Sequence, residues 1–229
     1  MMKKILILCV AVLSVALFNS CKDESGTYAD YLHTNGEKST AIKVCLNNSM
    51  DSAVAHLCHA DGFYEYKDGL YRLDFSANRA MMDTLSAHGQ GYLADSLILF
   101  TNRMAESCGT VAKTAFGDAI KGLEITDYDA LIKGEGTAIT DYFKKSQYTT
   151  VRDAMKSQVS IRMNLFNVND VWNEMVGDYY AITHQPVSYD VQGYILDAMM
   201  DGILEEMRCE ELLIRTDSTH RDSTLRVFF

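Results

Sequence analysis

Three polar residues near the middle of the chain have types and a spacing that suit ligand binding: Asn102, Arg103 and Glu106. Arg103 and Glu106 are three positions apart, so on a helix they share one face. A guanidinium beside a carboxylate can grip a polar ligand, but such a pair more often ties neighbouring helices together through a bidentate contact. The pattern therefore favours a structural tie and keeps all three residues as candidate binding residues.

Acidic side chains offer an alternative in which the chain is an envelope hydrolase. Paired carboxylates can serve as acid and base in hydrolysis, and Asp141 could join Arg103 and Glu106 in such a site. Asp127 and Asp129 instead follow a predicted helix start, where acids complement the helix dipole, so capping explains them better. The sequence has no nucleophile elbow, phosphate-binding loop or dinucleotide fingerprint, which weighs against an enzyme and predicts no cofactor.

Two histidines at the end of a predicted helix could hold a metal ion. His56 and His59 are three positions apart and share a helix face, with Cys58 between them. A third ligand from the same segment is missing, because Glu65 lies across a predicted turn. The sequence therefore predicts a partly exposed helix end and no metal site.

Tyrosines cluster where the apolar pattern changes period. Residues 63–75 alternate apolar and polar side chains around Asp68-Gly69, which predicts one small β-hairpin. Tyr64, Tyr66 and Tyr71 would be displayed on that hairpin. Tyr64 and Tyr66 are therefore candidate binding residues for an envelope protein or a glycan.

The rest of the chain has helical periodicity, and its single proline, Pro186, leaves long helices unbroken. The expected fold is mostly all-α: a compact orthogonal bundle of eight to nine helices with the small hairpin. Apolar stripes and caps place the helices at residues 41–59, 76–89, 91–108, 110–120, 126–132, 137–143, 150–166, 169–179 and 188–203.

The N-terminus predicts export and a lipid anchor. Two lysines and the apolar run 5–18 are typical of a secretory signal peptide that spans residues 1–20. Ser20 before Cys21 is similar to a bacterial lipobox, in which acyl chains such as palmitate are attached to the cysteine. Residues 21–40 would form a lipid-anchored tether, and residues 41–229 a single domain.

The residues after Cys21 and the net charge refine the predicted location and partners. Lys22, Asp23 and Glu24 resemble a tag that sends lipoproteins to the cell surface, so we expect an outer-membrane protein displayed there, with the periplasmic leaflet as the alternative. The 229 residues carry 31 acidic against 21 basic side chains, a formal net charge of −10. No basic patch is available for nucleic acid, so the expected partners are the membrane, through the anchor, and an envelope protein or glycan.

Four cysteines would remain in the mature domain: Cys45, Cys58, Cys108 and Cys209. Cys45 and Cys58 lie on one predicted helix, about 20 Å apart at its rise per residue, so they cannot pair. Buried free thiols are favoured, and one disulfide among the remaining pairings stays open.

Five short motifs, in order and spacing, resemble those of an uncharacterised bacterial family catalogued as domain of unknown function 4197. The resemblance runs from residue 41 to residue 228 and implies an exported helical protein without a known reaction, so the expected function is a binding or scaffolding module of the outer envelope. The motifs are Asp61-Gly62-Phe63, residues 102–106, residues 116–120, residues 125–130 and residues 140–143.

Overall fold

The computed structural model describes residues 33–229, and this part of the chain contains nine α-helices and no β-strand. The predicted signal peptide, the acylation site Cys21 and the start of the tether lie outside the described residues. The helices are α1 (Asn35–Leu57), α2 (Gly62–Gly69), α3 (Arg79–Ala87), α4 (Gly91–Glu106), α5 (Gly109–Lys121), α6 (Tyr128–Lys133), α7 (Ala138–Leu165), α8 (Val168–Thr183) and α9 (Val191–Thr216).

The first helix begins earlier than its apolar stripe predicts. Thr34 accepts a hydrogen bond from the backbone N–H of Glu37, and the Glu37 carboxylate accepts one from the backbone N–H of Thr34. This reciprocal capping box satisfies backbone donors at the helix start, so α1 begins at Asn35. Residues 35–40, which the sequence assigned to the tether, are therefore helical.

Two other helices are longer than predicted. α7 is a continuous helix of 28 residues that merges the two separate predictions 137–143 and 150–166. The residues between them are polar but include no glycine or proline, so nothing breaks the helix. α9 continues past the predicted end at residue 203, because its buried stripe goes on through Met207, Glu211 and Ile214.

The predicted β-hairpin is wrong. Residues 62–65 are helical, and the extended stretch 71–75, which ends at Phe75 with a left-handed φ of 54°, has no strand beside it. Asp68 and Gly69 do have the positive φ angles that an Asp-Gly turn uses, at 59° and 77°. The alternation after them also has a physical basis, since Tyr71, Leu73 and Phe75 are buried while the residues between them are exposed.

The core lies between α1, α5, α7 and α9. α1 runs antiparallel to α9, with Ser52 bonded to Glu210 and His56 bonded to Glu206, and α9 then packs on α7. α5 joins α1 to α7. Among the largest fully buried side chains are Phe63, Phe75, Phe116 and Phe143. Burial of a side chain of this size contributes about 1.5–3 kcal/mol to folding.

A buried carboxylate fastens the start of α7. Glu211 on α9 is fully buried and accepts hydrogen bonds from the backbone N–H groups of Ile139 and Thr140, at 3.0 and 2.7 Å. Arg215, one turn further along α9, donates to the same carboxylate at 2.8 Å. A negative charge at a helix N-terminus is favourable, and here it also positions α7 against α9.

Within residues 33–229, no helix is long and apolar enough to span a bilayer. The four cysteines of this part, Cys45, Cys58, Cys108 and Cys209, are free thiols.

Candidate functional site

The candidate binding residues meet at residues 61–75, which we call the 61–75 segment. This segment runs from the end of α1 through α2 and the extended stretch. It carries Tyr64 and Tyr66, while Asn102, Arg103 and Glu106 project towards it from α4. All five residues therefore contact one another or the same segment, although Tyr66 turns away from α4 towards α9.

Asn102 takes the place of a partner strand for the extended stretch. Its side chain is fully buried, its Oδ1 accepts from the backbone N–H of Leu73, and its Nδ2 donates to the carbonyl of Leu73, each at 3.0 Å. The amide therefore satisfies both backbone groups of one residue, as a neighbouring strand would. This contact explains how the backbone of Leu73 is satisfied although the stretch belongs to no sheet.

Arg103 and Glu106 hold the beginning of the segment. The Arg103 guanidinium donates to Glu106 at 2.8 Å and to Asp61, and Glu106 accepts from the backbone N–H of Tyr64 at 3.2 Å. Hydrogen bonds to Glu106 and then to Asp61 raise the pKa of Arg103. The Arg103–Glu106 pair thus ties α4 to the 61–75 segment, which is the structural use that its spacing favoured.

A second cluster, which we call the Glu206 cluster, fastens the other side of the segment to α9. Glu206 is only 3% exposed, yet its carboxylate accepts four hydrogen bonds. The donors are His56 Nδ1 at 2.8 Å, Tyr66 Oη at 2.9 Å, Lys67 Nζ at 2.6 Å and Tyr71 Oη at 2.7 Å.

Aromatic stacking and a cation add to the Glu206 cluster. The rings of His56 and Tyr66 are stacked with centroids 5.3 Å apart, and those of Tyr66 and Tyr71 are 6.1 Å apart. Lys67 Nζ lies 5.1 Å from the centroid of the Tyr66 ring, and Lys67 itself has a left-handed φ of 50°. These contacts hold three side chains of the segment, Tyr66, Lys67 and Tyr71, against one another.

The pKa shifts in the Glu206 cluster favour an ionised Glu206 carboxylate and protonated hydroxyl groups on Tyr66 and Tyr71. Burial alone raises the pKa of Glu206, but hydrogen bonds from Lys67, Tyr71, His56 and Tyr66 outweigh it and lower the pKa. Burial and the bond to Glu206 raise the pKa of Tyr66 and of Tyr71. A phenol with a raised pKa stays protonated near neutral pH and is a weak acid, so this geometry suits structural hydrogen bonding rather than proton transfer.

Sequence reasoning missed Glu206 and Lys67. Glu206 lies beyond the predicted end of its helix, and the available signal was its position between the apolar residues Ile203 and Met207 on the continuing stripe, which its neighbour Glu205 does not share. Lys67 falls within residues 63–75, for which the sequence predicted a hairpin and no ionic contact. Its pairing depends on a contact between parts of the chain 139 residues apart, which no local pattern shows.

The remaining acidic candidates lie in separate ion pairs. Asp127 caps α6 through the N–H of Ala130, and Asp129 accepts from Lys38 at 2.8 Å. Asp141 accepts from Arg208 on α9 at 2.6 Å and from Thr137. Within residues 33–229, Asp141 therefore shares no hydrogen-bond partner with Glu106, whereas the hydrolase alternative needs these two carboxylates in one cleft.

The two histidines do not converge. His56 is bound to Glu206, and His59 Nδ1 contacts the carbonyl of Ala60 at 2.6 Å. In the described part of the chain, no three His, Cys, Asp or Glu side chains are placed to hold a metal ion.

The largest groove described lies away from all these residues, between α5 and α7. Its volume is about 660 Å³, and small side chains such as Thr114, Ala115 and Ala154 line much of it. A smaller pocket of about 390 Å³ lies directly beside the segment and includes Tyr64 and Arg72. Of the candidate residues, Tyr64 lines this smaller pocket, whereas Asn102, Arg103, Glu106 and Tyr66 do not. We therefore place the candidate site at the 61–75 segment itself.

Comparison with known proteins identifies a family whose function is unknown. A family model described as a protein of unknown function, DUF4197, matches residues 33–228. No curated protein and no solved structure matches the chain.

Proposed function

The chain belongs to the family of proteins of unknown function DUF4197, and from this premise we propose that it is a lipid-anchored binding or scaffolding module of the outer envelope. Its partner is an envelope protein or a glycan, and the 61–75 segment is the part that contacts it. The anchor is Cys21, and the protein is displayed on the cell surface.

One observation carries the binding role: the 61–75 segment is fixed from inside while it presents an exposed apolar side chain to solvent. Asn102, the Arg103–Glu106 pair and Glu206 hold it to α4 and α9. At the same time Leu70 is 67% exposed. A preorganised surface loses little conformational entropy when a partner binds, so such a segment is suited to recognition.

Capture of the partner in cells tests this role. A C-terminally tagged chain is crosslinked in the envelope and its captured molecules are identified by mass spectrometry, for the wild type and for Leu70→Ser. We expect one dominant envelope component, and a several-fold loss of it in the variant. Leu165→Ser is the matched control, since Leu165 is 72% exposed and lies at the end of α7. Equal capture by both variants would remove the segment from the proposal.

The structure changes which tyrosines can be used in such a test. Tyr66 donates to the buried Glu206, so Tyr66→Ala removes a support of the fold as well as a candidate contact. Tyr64 is engaged through its backbone and its ring, and its hydroxyl is not part of the Glu206 cluster. Tyr64→Ala alone is therefore the cleaner variant.

The anchor has its own experiment. Cells fed a labelled palmitate should incorporate the label into the wild-type chain, and Cys21→Ala should abolish incorporation because the acyl chains are attached to that cysteine. Cys209→Ala is the control, since Cys209 is a half-buried free thiol of the domain. Label retained in Cys21→Ala would contradict lipid anchoring at this residue.

A further inference from the structure

A fixed arginine borders the pocket beside the 61–75 segment. The guanidinium carbon of Arg72 lies 4.4 Å from the centroid of the Tyr64 ring, and Arg72 Nε donates to the Tyr64 carbonyl at 2.7 Å. A second guanidinium, that of Arg103, lies 5.4 Å from the centroid of the same ring. The Tyr64 ring therefore supports two arginines, and Arg72 is held in a single position although it is exposed.

Gly69 makes room for this arrangement. A methyl group built at Gly69 would lie 3.0 Å from the terminal nitrogen Nη2 of Arg72, and the positive φ of Gly69, 77°, also suits glycine alone. The guanidinium is thus packed against the backbone of Gly69 as well as bonded to the Tyr64 carbonyl. An arginine so constrained has already lost the side-chain entropy that ligand binding would otherwise remove.

The donors of this arginine are unused. Within residues 33–229, the two terminal nitrogens of Arg72 donate no hydrogen bond, and Arg79 in the same pocket has neither a hydrogen bond nor an ion pair. In the same part of the chain, four arginines are each paired with a carboxylate (Arg103, Arg152, Arg208 and Arg215), and three donate to amide or carbonyl oxygens (Arg162, Arg221 and Arg226). Because Arg72 and Arg79 line one pocket and neither forms an ion pair within residues 33–229, their charges are available to an anion from outside.

The other lining residues narrow the kind of anion. Asp74 and Asp95 border the pocket together with the two arginines, and the apolar side chains of Met82 and Ile98 complete it. Two carboxylates disfavour a phosphate, which concentrates more than one negative charge on a single group, but they accept hydrogen bonds from hydroxyl groups. The apolar side chains suit the C–H face of a sugar ring. The pocket volume, about 390 Å³, is within the range of small-ligand sites.

We propose that this pocket binds a carboxylated sugar: Arg72 and Arg79 take its carboxylate, and Asp74 and Asp95 accept from its hydroxyls. The inference deepens the proposed function by naming a uronic-acid-type glycan as the partner, and it rests on that proposal. Tyr64 acts here as the support of Arg72 rather than as a stacking platform for the sugar.

Binding of oligogalacturonate to the purified full-length chain in detergent, measured by titration calorimetry, tests the proposal. The matched ligand is the same oligomer with its carboxylates methyl-esterified, which keeps the rings and hydroxyls and removes the charge. We expect the acid form to bind at least tenfold more tightly than the ester. Equal binding of both forms, or no binding of the acid form, would overturn the proposal.

Variants and a competing anion complete the test. Arg79→Gln and Arg72→Gln should each weaken binding of the acid form about tenfold or more, since each loses a charge-assisted contact. Arg226→Gln is the control, because Arg226 is an exposed arginine of the C-terminal tail and should leave binding unchanged. Unchanged affinity in Arg79→Gln, or displacement by inorganic phosphate at equal concentration, would contradict a sugar-acid site.

Failure of this proposal is distinguishable from failure of the proposed function. If Arg79→Gln still captures its partner in cells while oligogalacturonate does not bind, the segment is a binding surface for another ligand. If capture fails and oligogalacturonate binds as described, the pocket is correct and the scaffolding role is wrong.

Discussion

Glu206 is the residue on which the largest number of side chains converge in the candidate site. Each of its two carboxylate oxygens accepts two hydrogen bonds, one oxygen from His56 and Tyr66 and the other from Lys67 and Tyr71. A buried charge is tolerated when its hydrogen-bonding capacity is filled in this way. The same completeness makes the carboxylate hard to replace.

We predict that Glu206→Gln destabilises the protein by about 1.5–3 kcal/mol, the usual contribution of a hydrogen bond to a charged group. The amide removes the negative charge and turns two acceptor positions into donors that face the donors already there. Urea unfolding at neutral pH measures the change. Glu205→Gln is the control, because Glu205 is about half exposed in its pair with Arg208 and should cost less than about 1 kcal/mol. Equal costs for the two variants would contradict the assigned role.

The same residue predicts a pH dependence. Because folding lowers the pKa of Glu206, its stabilisation is complete above the unfolded-state pKa of about 4.3 and is lost as the pH falls through the lower folded-state pKa. Between about pH 6 and about pH 3, the wild type should therefore lose more unfolding free energy than Glu206→Gln. Parallel losses in urea titrations of the two proteins would show that the carboxylate is not the group concerned.

At the residue scale, the sequence predicted the contacts on the α4 side of the site and missed those on the α9 side. Arg103 and Glu106 could be paired from their helical spacing alone, and the structure pairs them. Glu206 and its donors come from three distant parts of the chain, so their meeting depends on the packing of α1 and α2 on α9. Spacing within one helix is visible in a sequence, whereas contact between helices is not.

At the scale of elements, the extended stretch 71–75 depends on α4. Asn102 supplies the two backbone hydrogen bonds that a partner strand would supply to Leu73. The alternating pattern of this stretch correctly indicates which side chains are buried. It does not indicate what bonds the backbone, and the hairpin prediction failed for that reason.

We predict that Asn102→Ala destabilises the protein by about 2–4 kcal/mol, because it leaves a buried N–H and a buried carbonyl of Leu73 without partners, each costing about 1–3 kcal/mol. Amide hydrogen exchange should speed up at residues 71–75 more than elsewhere. Asn102→Asp, which still accepts from the Leu73 N–H, should be less destabilised than the alanine variant at neutral pH. Unchanged exchange at residues 71–75 would contradict the surrogate-strand role.

Two glycines of the family motifs should respond to alanine in opposite directions. A methyl group at Gly62 would press against the carbonyl oxygens of His56, at 2.8 Å, and of Leu57, whereas Gly117 in α5 has open space around that position. We predict that Gly62→Ala is destabilising and that Gly117→Ala is stabilising by about 0.5–1 kcal/mol through helix propensity. Thermal unfolding of both variants decides this, and a stable Gly62→Ala protein would contradict the close approach of α1 and α2.

Most helices could be predicted at this scale because their apolar stripes and caps are local. The predicted helix boundaries were wrong where a helix extends beyond its apolar residues. The Thr34–Glu37 capping box starts α1 ahead of its apolar stripe, and polar residues join the two predicted halves of α7. The irregular α2 failed because its conformation depends on Glu206 and Glu106, which are remote in sequence.

At the scale of the whole molecule, the described helices hold the irregular 61–75 segment at the surface of the bundle. α4 and α9 hold the 61–75 segment from two sides, and Leu70 and Arg72 remain exposed on it. The mostly helical architecture followed from the sequence, since periodicity is spread over the chain. The sequence already named Tyr64 and Tyr66 of this segment as candidate binding residues, but the tertiary contacts that fix the segment could be seen only in the structure.

The most direct test of the central claim is photo-crosslinking in cells with a photoreactive residue placed at position 70 or, for comparison, at position 165. Both positions are exposed, at 67% and 72%, but only position 70 belongs to the 61–75 segment. We predict that one envelope protein or glycan conjugate is crosslinked from position 70 and not from position 165. The same product from both positions, or a product from position 165 alone, would contradict the claim that this segment is the binding surface.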